Sequence, residues 1–312
     1  AVGHIEIEPN VTIAGDGLVT IELPGGELDA MRPGLYNINM LFEENGIEYV
    51  ETFEFQWGVL TLNPNKASYE AGETATIALG ALSPNGNTLC DAKLALYITS
   101  PSEVVTRVPV EQSGKCLGNN VTDVPDYTGE FTISETGEHT LYLEHLDEAG
   151  GVLGFIQDKF LVEENLAYSI ERNGPTRIFP PASYPMSITV TADEGFNGTL
   201  VERVPKSFIV GSTTASLTEE GDWQLLSFEI NVPAGGSETV SYGFDAPDIS
   251  PYIYKTGEAS LEKQVRTANA VPLDTASTTE SVASSTAAAP AGEMTETERQ
   301  IVFAEHRQWQ IA

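Results

Sequence analysis

Residues 57–81, with the sequence WGVLTLNPNKASYEAGETATIALGA, constrain the fold more than any other part of the chain. A short apolar run at Val59–Leu62 ends in Asn63, Pro64 and Asn65, residue types that favour turns. From Thr74 onward, polar and apolar residues alternate, which is typical of a strand with one buried face. The stretch therefore predicts two strands joined through a corner.

The corner carries the pattern Lys-x-x-Tyr-x-x-Gly-Glu at Lys66, Tyr69, Gly72 and Glu73. This segment resembles the opening of macroglobulin-like and other bacterial immunoglobulin-like domains, where the same pattern stands at this place. The resemblance implies a β-sandwich. It implies no activity, because a fold of this kind hosts many unrelated functions.

The rest of the chain consists of short strand-like runs separated by glycine and proline, and its composition is poor in lysine. These features predict an all-β fold of tandem immunoglobulin-like β-sandwich domains. We expect an N-terminal immunoglobulin-like β domain at residues 1–56, either a whole small domain or part of one. A macroglobulin-like or immunoglobulin-like sandwich is expected at residues 57–164, and a third sandwich at residues 165–312.

A low-complexity segment interrupts the third domain. Residues 263–299 include ASTTESVASSTAAAPAG and few bulky apolar side chains, so we expect a long disordered loop there. Phe303, Trp309 and Ile311 restore an apolar pattern, and residues 301–312 are expected to form the final strand. A helix is the alternative, because ETERQIVFAEHRQWQIA also allows helical spacing.

The chain is strongly acidic: 15 Lys and Arg residues stand against 46 Asp and Glu residues, a formal net charge of −31 at pH 7. Phosphate backbones and anionic lipids would repel such a chain, which argues against nucleic acid and polybasic membrane docking. No apolar run approaches the ~18 residues of a membrane span. The acidity favours a well-solvated surface, and Ca²⁺ binding is the alternative interpretation.

Cys90 and Cys116 are the only cysteines. In an exported protein we expect them to form a disulfide, which would stabilise the fold by about 3–4 kcal/mol on the chain-entropy estimate. Two buried free thiols or a metal pair are the alternatives. A zinc site is disfavoured, because no histidines are placed to complete the ligand set.

Two kinds of generic site are present in the sequence. The weak candidates for Ca²⁺ ligands are acidic residues close together in two segments: Asp123, Asp126, Glu130, Asp245 and Asp248. Sequons for N-glycosylation begin at Asn10, Asn120 and Asn197 and matter only in a host that glycosylates. Acids in loops usually increase solubility, so we expect no cofactor, with Ca²⁺ as the open alternative.

Motifs of catalysis are missing: the sequence has no nucleophile elbow, zinc-protease helix, P-loop or EF-hand loop. His139 and His145 share a strand face but lie about 20 Å apart at ~3.4 Å per residue, too far to share a metal. We expect no catalytic residues and no enzyme activity. Aromatic residues that could stack on sugars, but that more often pack in a core, are Tyr36, Tyr127, Tyr142, Tyr252, Tyr254 and Trp223.

Several segments together resemble large surface proteins of ultrasmall, candidate-phylum bacteria, which are built of immunoglobulin-like modules. The segments are FEFQWGVLTLNPNKASYEAGETA, LCDAKLALYITSP, the loop from Cys116 to Tyr127, ERNGPTRIFPPASYPM, VERVP ending at Pro205, FDAPDISPYIY and EHRQWQIA. The resemblance covers most of residues 33–312. It implies a secreted or surface location and a modular, non-catalytic body, and it transfers no ligand or catalytic residue.

The sequence therefore predicts an extracellular or cell-surface protein with a structural or adhesive role, able to assemble into a fibre or layer. The alternative is an array of carbohydrate- or cell-binding modules, similar to a lectin-like adhesin. The expected partners are other copies of the chain, or a protein or glycan of the cell surface. Exchange of the exposed N-terminal strand, within residues 1–14, is the specific assembly mechanism that we predict.

Overall fold

The computed structural model describes residues 10–13, 19–22, 34–44, 47–57, 60–83, 86–117, 120–178, 180–249, 252–267 and 296–312. Within these ranges the regular structure is entirely β, so the prediction of an all-β fold is confirmed. The described part of the chain contains no helix long and apolar enough to cross a membrane. Residues 1–9, on which the predicted strand exchange partly depends, lie outside the described residues.

Four strands precede the first sandwich. They are β1 (Asn10–Ile13), β2 (Val19–Glu22), β3 (Gly34–Glu44) and β4 (Ile47–Trp57). β1 pairs antiparallel with β2. β3 pairs antiparallel with β4, from Gly34 opposite Trp57 to Glu44 opposite Ile47, and forms a long hairpin.

Nine strands form the first sandwich. They are β5 (Leu60–Pro64), β6 (Ser68–Glu70), β7 (Thr74–Ala81), β8 (Lys93–Thr99), β9 (Val105–Val108), β10 (Val110–Gln112), β11 (Tyr127–Thr132), β12 (Gly137–Leu146) and β13 (Val152–Glu163). One sheet has the order β10-β11-β7-β5 and the other β6-β13-β12-β8-β9. Alternate side chains of both sheets point inward and share one buried core, which includes Leu62, Ile77, Leu96, Leu141 and Phe160.

The Lys-x-x-Tyr-x-x-Gly-Glu pattern closes the corner between β5 and β7. Tyr69 is fully buried and donates its hydroxyl to Asn65 Oδ1 at 2.7 Å. Glu73 accepts a hydrogen bond from Lys66 Nζ at 2.6 Å. Gly72 has a φ of +96°, a left-handed conformation that glycine adopts without strain. Each residue of the pattern thus stabilises the turn itself.

Eleven strands form the second sandwich. They are β14 (Tyr168–Asn173), β15 (Tyr184–Ala192), β16 (Phe196–Pro205), β17 (Ile209–Gly211), β18 (Ser216–Glu220), β19 (Trp223–Val232), β20 (Gly236–Asp245), β21 (Tyr254–Thr256), β22 (Ala259–Thr267), β23 (Glu296–Glu305) and β24 (Trp309–Ile311). The sheets have the orders β14-β15-β20-β17 and β18-β19-β16-β22-β23, and β21 pairs with β24. Their inward side chains, including Met186, Leu200, Phe228, Phe244 and Trp309, form the second core.

Strand pairing extends into the segment that the sequence predicts as a disordered loop. β22 continues to Thr267 and pairs there with Glu296 of β23, so residues 263–267 and 296–299 are strand rather than loop. The prediction ends the two strands too early because it relied on the pattern of apolar side chains, whereas backbone hydrogen bonds hold the paired ends of β22 and β23 together. Residues 268–295 lie outside the described residues. The single final strand expected at residues 301–312 is instead two strands, the end of β23 at Glu305 and the separate β24 at Trp309–Ile311, and neither is the alternative helix.

The predicted disulfide is confirmed. Cys90 and Cys116 are joined with an S–S distance of 2.02 Å and a Cα–Cα distance of 5.4 Å. The bond ties the segment that follows β7 to the loop between β10 and β11. That loop reaches the second sandwich, as described below.

Candidate functional site at the junction of the two sandwiches

The strand β5 is buried on both faces. Leu60 and Leu62 point into the core of the first sandwich, and Thr61 and Asn63 on the opposite face are 0% exposed. Because side chains alternate along a strand, a second layer must cover the outer face. On the neighbouring strand, the outward Ala78 belongs to the core of the second sandwich, which identifies that second layer.

Gly80 shows how closely the two sandwiches approach each other. A Cβ atom at this position would lie 2.7 Å from Thr61 Oγ1 and 3.0 Å from Cβ of Thr176 in the second sandwich. Separations this short leave no space for a methyl group, so a glycine is required on this face of β7. The contact between the sandwiches is therefore close-packed.

Asn63 and Gln310 form a reciprocal hydrogen-bond pair across the junction. Asn63 Nδ2 donates to the Gln310 carbonyl at 2.9 Å, and the Gln310 amide donates to Asn63 Oδ1 at 2.7 Å. The Leu62 amide also donates to Gln310 Oε1 at 3.3 Å. The side chain of Asn63 thus acts as a strand backbone would, and β24 is held against β5.

The C-terminal residues are fixed to the segment that follows β14. Trp309 is 1% exposed and its Nε1 donates to the Pro175 carbonyl at 2.9 Å. The Ala312 amide donates to the Thr176 carbonyl, and the Ile178 amide donates to the Ala312 carbonyl, each at 3.0 Å. These bonds build a compact surface of the second sandwich that faces the first.

Arg177 inserts into the disulfide-linked loop of the first sandwich. The arginine is 1% exposed, and its Nε lies 2.8 Å from Asp126 Oδ2. Its Nη1 donates to the Asn120 carbonyl at 2.7 Å, and its Nη2 donates to Asn120 Oδ1 at 3.0 Å. Burial raises the pKa of Asp126, and the charge and hydrogen bonds of Arg177 oppose this rise. Because Cys116 anchors the same loop, the disulfide helps to hold the residues that receive Arg177.

A second buried arginine, Arg172, links the two sheets of the second sandwich beside the junction. Its Nε and Nη2 donate to the two carboxylate oxygens of Glu202 at 3.2 and 2.9 Å, and its Nη1 donates to Glu305. Burial raises the pKa of Glu202, whereas the charge of Arg172 opposes the rise. The backbone amide of Arg172 donates to the Asn65 carbonyl at 2.8 Å, so this cluster is tied directly to the first sandwich.

Arg307 adds a third arginine to the junction. Its side chain is 8% exposed, its Nη2 donates to the Pro64 carbonyl, and its Nη1 lies 3.8 Å from Asp158 Oδ2. Burial lowers the pKa of Arg307 and raises that of Asp158, and the opposite charges of the pair oppose both shifts. A shallow, open depression of about 210 Å³ lies at this edge of the junction and is lined by Asp158, Lys255, His306, Arg307, Gln308 and Gln310.

These contacts determine what the junction does chemically. Each guanidinium is held by carboxylates or carbonyls of residues that are buried or half-buried, so the charged groups are engaged with one another. Losing one partner of such a pair leaves an unpaired charge in a low-dielectric environment, which is strongly destabilising. The arrangement therefore favours one relative placement of the two sandwiches.

The structure gives the predicted calcium candidates other surroundings. Asp126 is 1% exposed and forms an ion pair with Arg177, so it belongs to the junction. Within the described ranges, no group of three or more His, Cys, Asp or Glu side chains is arranged to hold a metal ion. The remaining candidates are exposed or half-buried: Asp123, Glu130, Asp245 and Asp248.

The three sequons lie in different environments. Asn120 is part of the junction, since its Nδ2 donates to the Lys115 carbonyl at 2.9 Å and its Oδ1 accepts from Arg177. A glycan on Asn120 would have to break these bonds. Asn197 is exposed on β16, and Asn10 begins β1.

Among the aromatic residues singled out in the sequence, Tyr252 and Tyr254 contact each other, with ring centroids 4.5 Å apart, but the described side chains do not form one shared platform. Tyr127 and Tyr254 are 4% and 7% exposed, and the hydroxyl of Tyr127 donates to the Leu89 carbonyl at 2.6 Å. Tyr142 is half-buried on the outer face of β12. The other side chains are half-buried in the second sandwich (Trp223, Tyr252) or lie outside the described side chains (Tyr36).

The junction residues Arg172, Arg177 and Arg307 were not identified from the sequence. Arginines beside turn residues are usually exposed, and their carboxylate partners are distant in the chain. A usable signal exists in hindsight: basic residues are scarce, and Arg177 stands between Pro175 and Ile178 in an otherwise uncharged segment.

Comparison with known proteins identifies no family for this chain. No family model matches, and no curated protein matches. A structure of a Corynebacterium diphtheriae protein described as membrane anchored has 11% identity and a TM-score of 0.27, covering 81% of this chain and 70% of that one. A Salmonella alpha-2-macroglobulin mutant has 13% identity and a TM-score of 0.27, covering 90% of this chain and 19% of that one. Similarity at this level says nothing about activity or partners.

Proposed function

We propose that this chain is a non-catalytic, extracellular protein of the cell surface, with a structural or adhesive role. The observation that carries the proposal is the junction, in which Arg177 of the second sandwich is buried against Asp126 and Asn120 of the first. A flexible tether between domains needs no such contact. A protein that must hold a binding or assembly face in a fixed orientation gains from one.

The physical argument rests on the specificity of buried ion pairs. Packing of apolar surfaces such as that around Ala78 favours contact but tolerates several orientations, because the hydrophobic effect is not directional. The guanidinium of Arg177 makes bonds that require one geometry, and in some proteins buried charges of this kind specify a unique arrangement. We apply that role to the junction as a hypothesis for this protein.

The proposal of a non-catalytic role is supported by the state of the ionisable groups. Catalytic acids and bases are shifted groups that remain accessible to a substrate. Here, Glu202 and Asp126, whose pKa values are raised by burial, are 0% and 1% exposed and are bonded to arginines. Their shifts have a structural cause that needs no reaction.

Electron microscopy of the native cell surface, with gold-labelled antibody against the full chain, tests the proposal. We expect label at the surface, on ordered filaments or on a layer. Label confined to the cytoplasm would contradict a surface role, and hydrolysis of a surface polymer by the purified chain would contradict a non-catalytic one.

The proposed assembly into a fibre or layer has its own test. If the N-terminal strand is exchanged between copies, deletion of residues 1–14 from the full chain should abolish filaments seen by negative-stain microscopy. Filaments of unchanged length and number in the deletion variant would exclude strand exchange as the mechanism, while leaving the surface role in place.

A further inference from the structure

The two sheets of the first sandwich present very different outer faces. The outer face of β5 and β7 is covered by the second sandwich. The opposite sheet, β6-β13-β12-β8-β9, carries three aromatic side chains in its outward positions, namely Tyr97 on β8, Tyr142 on β12 and Phe155 on β13. We call this set the aromatic face.

The strand register places these rings side by side. Tyr97 lies opposite Tyr142, Arg107 lies opposite Tyr97, and Gln157 lies opposite Tyr142. This row crosses four adjacent strands and spans about 14 Å at ~4.8 Å between strands. Phe155 extends the row sideways, with its ring centroid 5.2 Å from that of Tyr142 and the two planes inclined by 35°.

The aromatic face is accessible. Phe155 is 59% exposed although β4 runs beside β13, and the two tyrosines are half-buried. Neither tyrosine hydroxyl forms a hydrogen bond with another described residue, and the same is true of the exposed guanidinium of Arg107. The two tyrosine rings therefore lie together at the centre of the row, with Arg107 at one end and Gln157 at the other, and the rings and these polar groups remain accessible to a ligand.

Among the described side chains, the charges around the aromatic face are balanced. Lys159 lies 2.7 Å from Glu138. The positive charge of Arg107, in the row, is matched by the negative charge of Glu144, which lies opposite Phe155 in the neighbouring row. This neutral area stands on a chain with a net charge of −31, which repels polyanions at long range. The charge pattern thus favours an uncharged partner.

We infer that the aromatic face binds a neutral saccharide chain. The C–H faces of sugar rings can lie against Tyr97, Tyr142 and Phe155, while their hydroxyls exchange hydrogen bonds with Arg107 and Gln157. Arg107 and Gln157 at the two ends of the row, and Glu144 opposite Phe155, surround the rings with hydrogen-bonding groups, which suits a ligand rich in hydroxyls better than the apolar core of a protein interface. The inference rests on the proposed surface function and supplies the partner for its adhesive form.

Affinity electrophoresis of the full chain tests the inference, with laminarin, hydroxyethyl cellulose and soluble starch as neutral probes and alginate as the anionic probe. We expect retardation by at least one neutral probe and none by alginate. Phe155→Ala and Tyr142→Ala should each weaken that binding about five- to tenfold, since one ring contact is lost. Tyr142→Phe keeps the ring and should retain most of the affinity.

Ile209→Ala is the matched control, because Ile209 is 73% exposed on β17 of the second sandwich, away from the aromatic face. It should leave saccharide binding unchanged, and an unchanged melting temperature for every variant will show that each one is folded.

Binding of alginate only, binding of no neutral probe, or equal binding by all variants would overturn the inference. So would a dimer of the wild-type chain that Phe155→Ala dissociates, because a second copy would then occupy the face. If the protein is found at the cell surface but binds no saccharide, only this inference is wrong. If it is found inside the cell, the proposed function is wrong.

Discussion

Replacing Arg177 by methionine removes the guanidinium that bridges the two sandwiches. The substitution leaves Asp126 1% exposed without the partner that now lies 2.8 Å away, and it removes both hydrogen bonds to Asn120. Breaking a buried ion pair by removing one partner costs about 3–5 kcal/mol, and each lost hydrogen bond about 1 kcal/mol. Because these losses share one site, they overlap instead of adding in full. We therefore expect Arg177→Met to lower the free energy of unfolding by about 4 kcal/mol.

Urea unfolding followed by tryptophan fluorescence measures this change, since Trp309 is buried at the junction and bonded to Pro175, two residues before Arg177. The double variant Asp126→Leu with Arg177→Met removes both charges, and buried pairs replaced in this way often lose little stability. We expect the double variant to be more stable than Arg177→Met alone. A loss below about 1 kcal/mol in the single variant, or a double variant as unstable as the sum of the two single changes, would refute the reasoning.

The pH dependence gives an independent check on the same pair. Burial already raises the pKa of Asp126, and in Arg177→Met the opposing charge is gone, so that pKa rises further. An acid whose folded pKa exceeds its unfolded value of about 3.9 binds more protons when folded, so stability increases as pH falls towards that value. The difference between Arg177→Met and the wild type should therefore shrink on acidification, and a constant difference would contradict a buried, unpaired carboxylate.

Three further predictions concern other parts of the described structure. Gly80→Ala should lower the free energy of unfolding in urea by about 1–3 kcal/mol, because the added Cβ would clash with Thr61 and the second sandwich. Gly211→Ala is the control: its Cβ would have no atom within 4 Å, so its unfolding free energy should change by less than about 0.5 kcal/mol. Reducing the Cys90–Cys116 bond, with a sequence separation of 26, should lower the unfolding free energy by about 3.5 kcal/mol and loosen the loop that holds Arg177, as measured by hydrogen exchange. Burial lowers the pKa of His145, so the wild type should lose stability as pH falls below about 6.5, by at most about 1.4 kcal/mol per pH unit. If His145→Gln does not reduce this dependence of the unfolding free energy on pH, His145 is not its origin.

The sequence predicts the strands well where neighbours in the chain decide the outcome. The alternation after Thr74 and the apolar pattern around Trp309 both end in strands, because local periodicity reports which face is buried. The sequence does not reveal that Thr61 and Asn63 are buried as well, since the second sandwich covers them, as the bond between Asn63 and Gln310, 247 positions apart, shows. Of the aromatic face, the sequence singles out Tyr142 but not Tyr97 or Phe155, because the three rings lie on three strands and only the register brings them together.

The position of the arginines explains how two acidic sandwiches remain in contact. Both contain more acidic than basic residues, so long-range electrostatics pushes them apart. Of the 15 Lys and Arg residues in the chain, Arg172, Arg177 and Arg307 are withdrawn from the surface and placed where the sandwiches meet. There, Arg177 and Arg307 each meet a carboxylate of the first sandwich, whereas the carboxylate partners of Arg172 belong to its own sandwich. In a low-dielectric environment, attraction across the junction is stronger than repulsion between distant, solvent-screened surface charges. Three of the few cations of the chain thus lie at or beside the contact, each together with a carboxylate that is withdrawn from solvent with it.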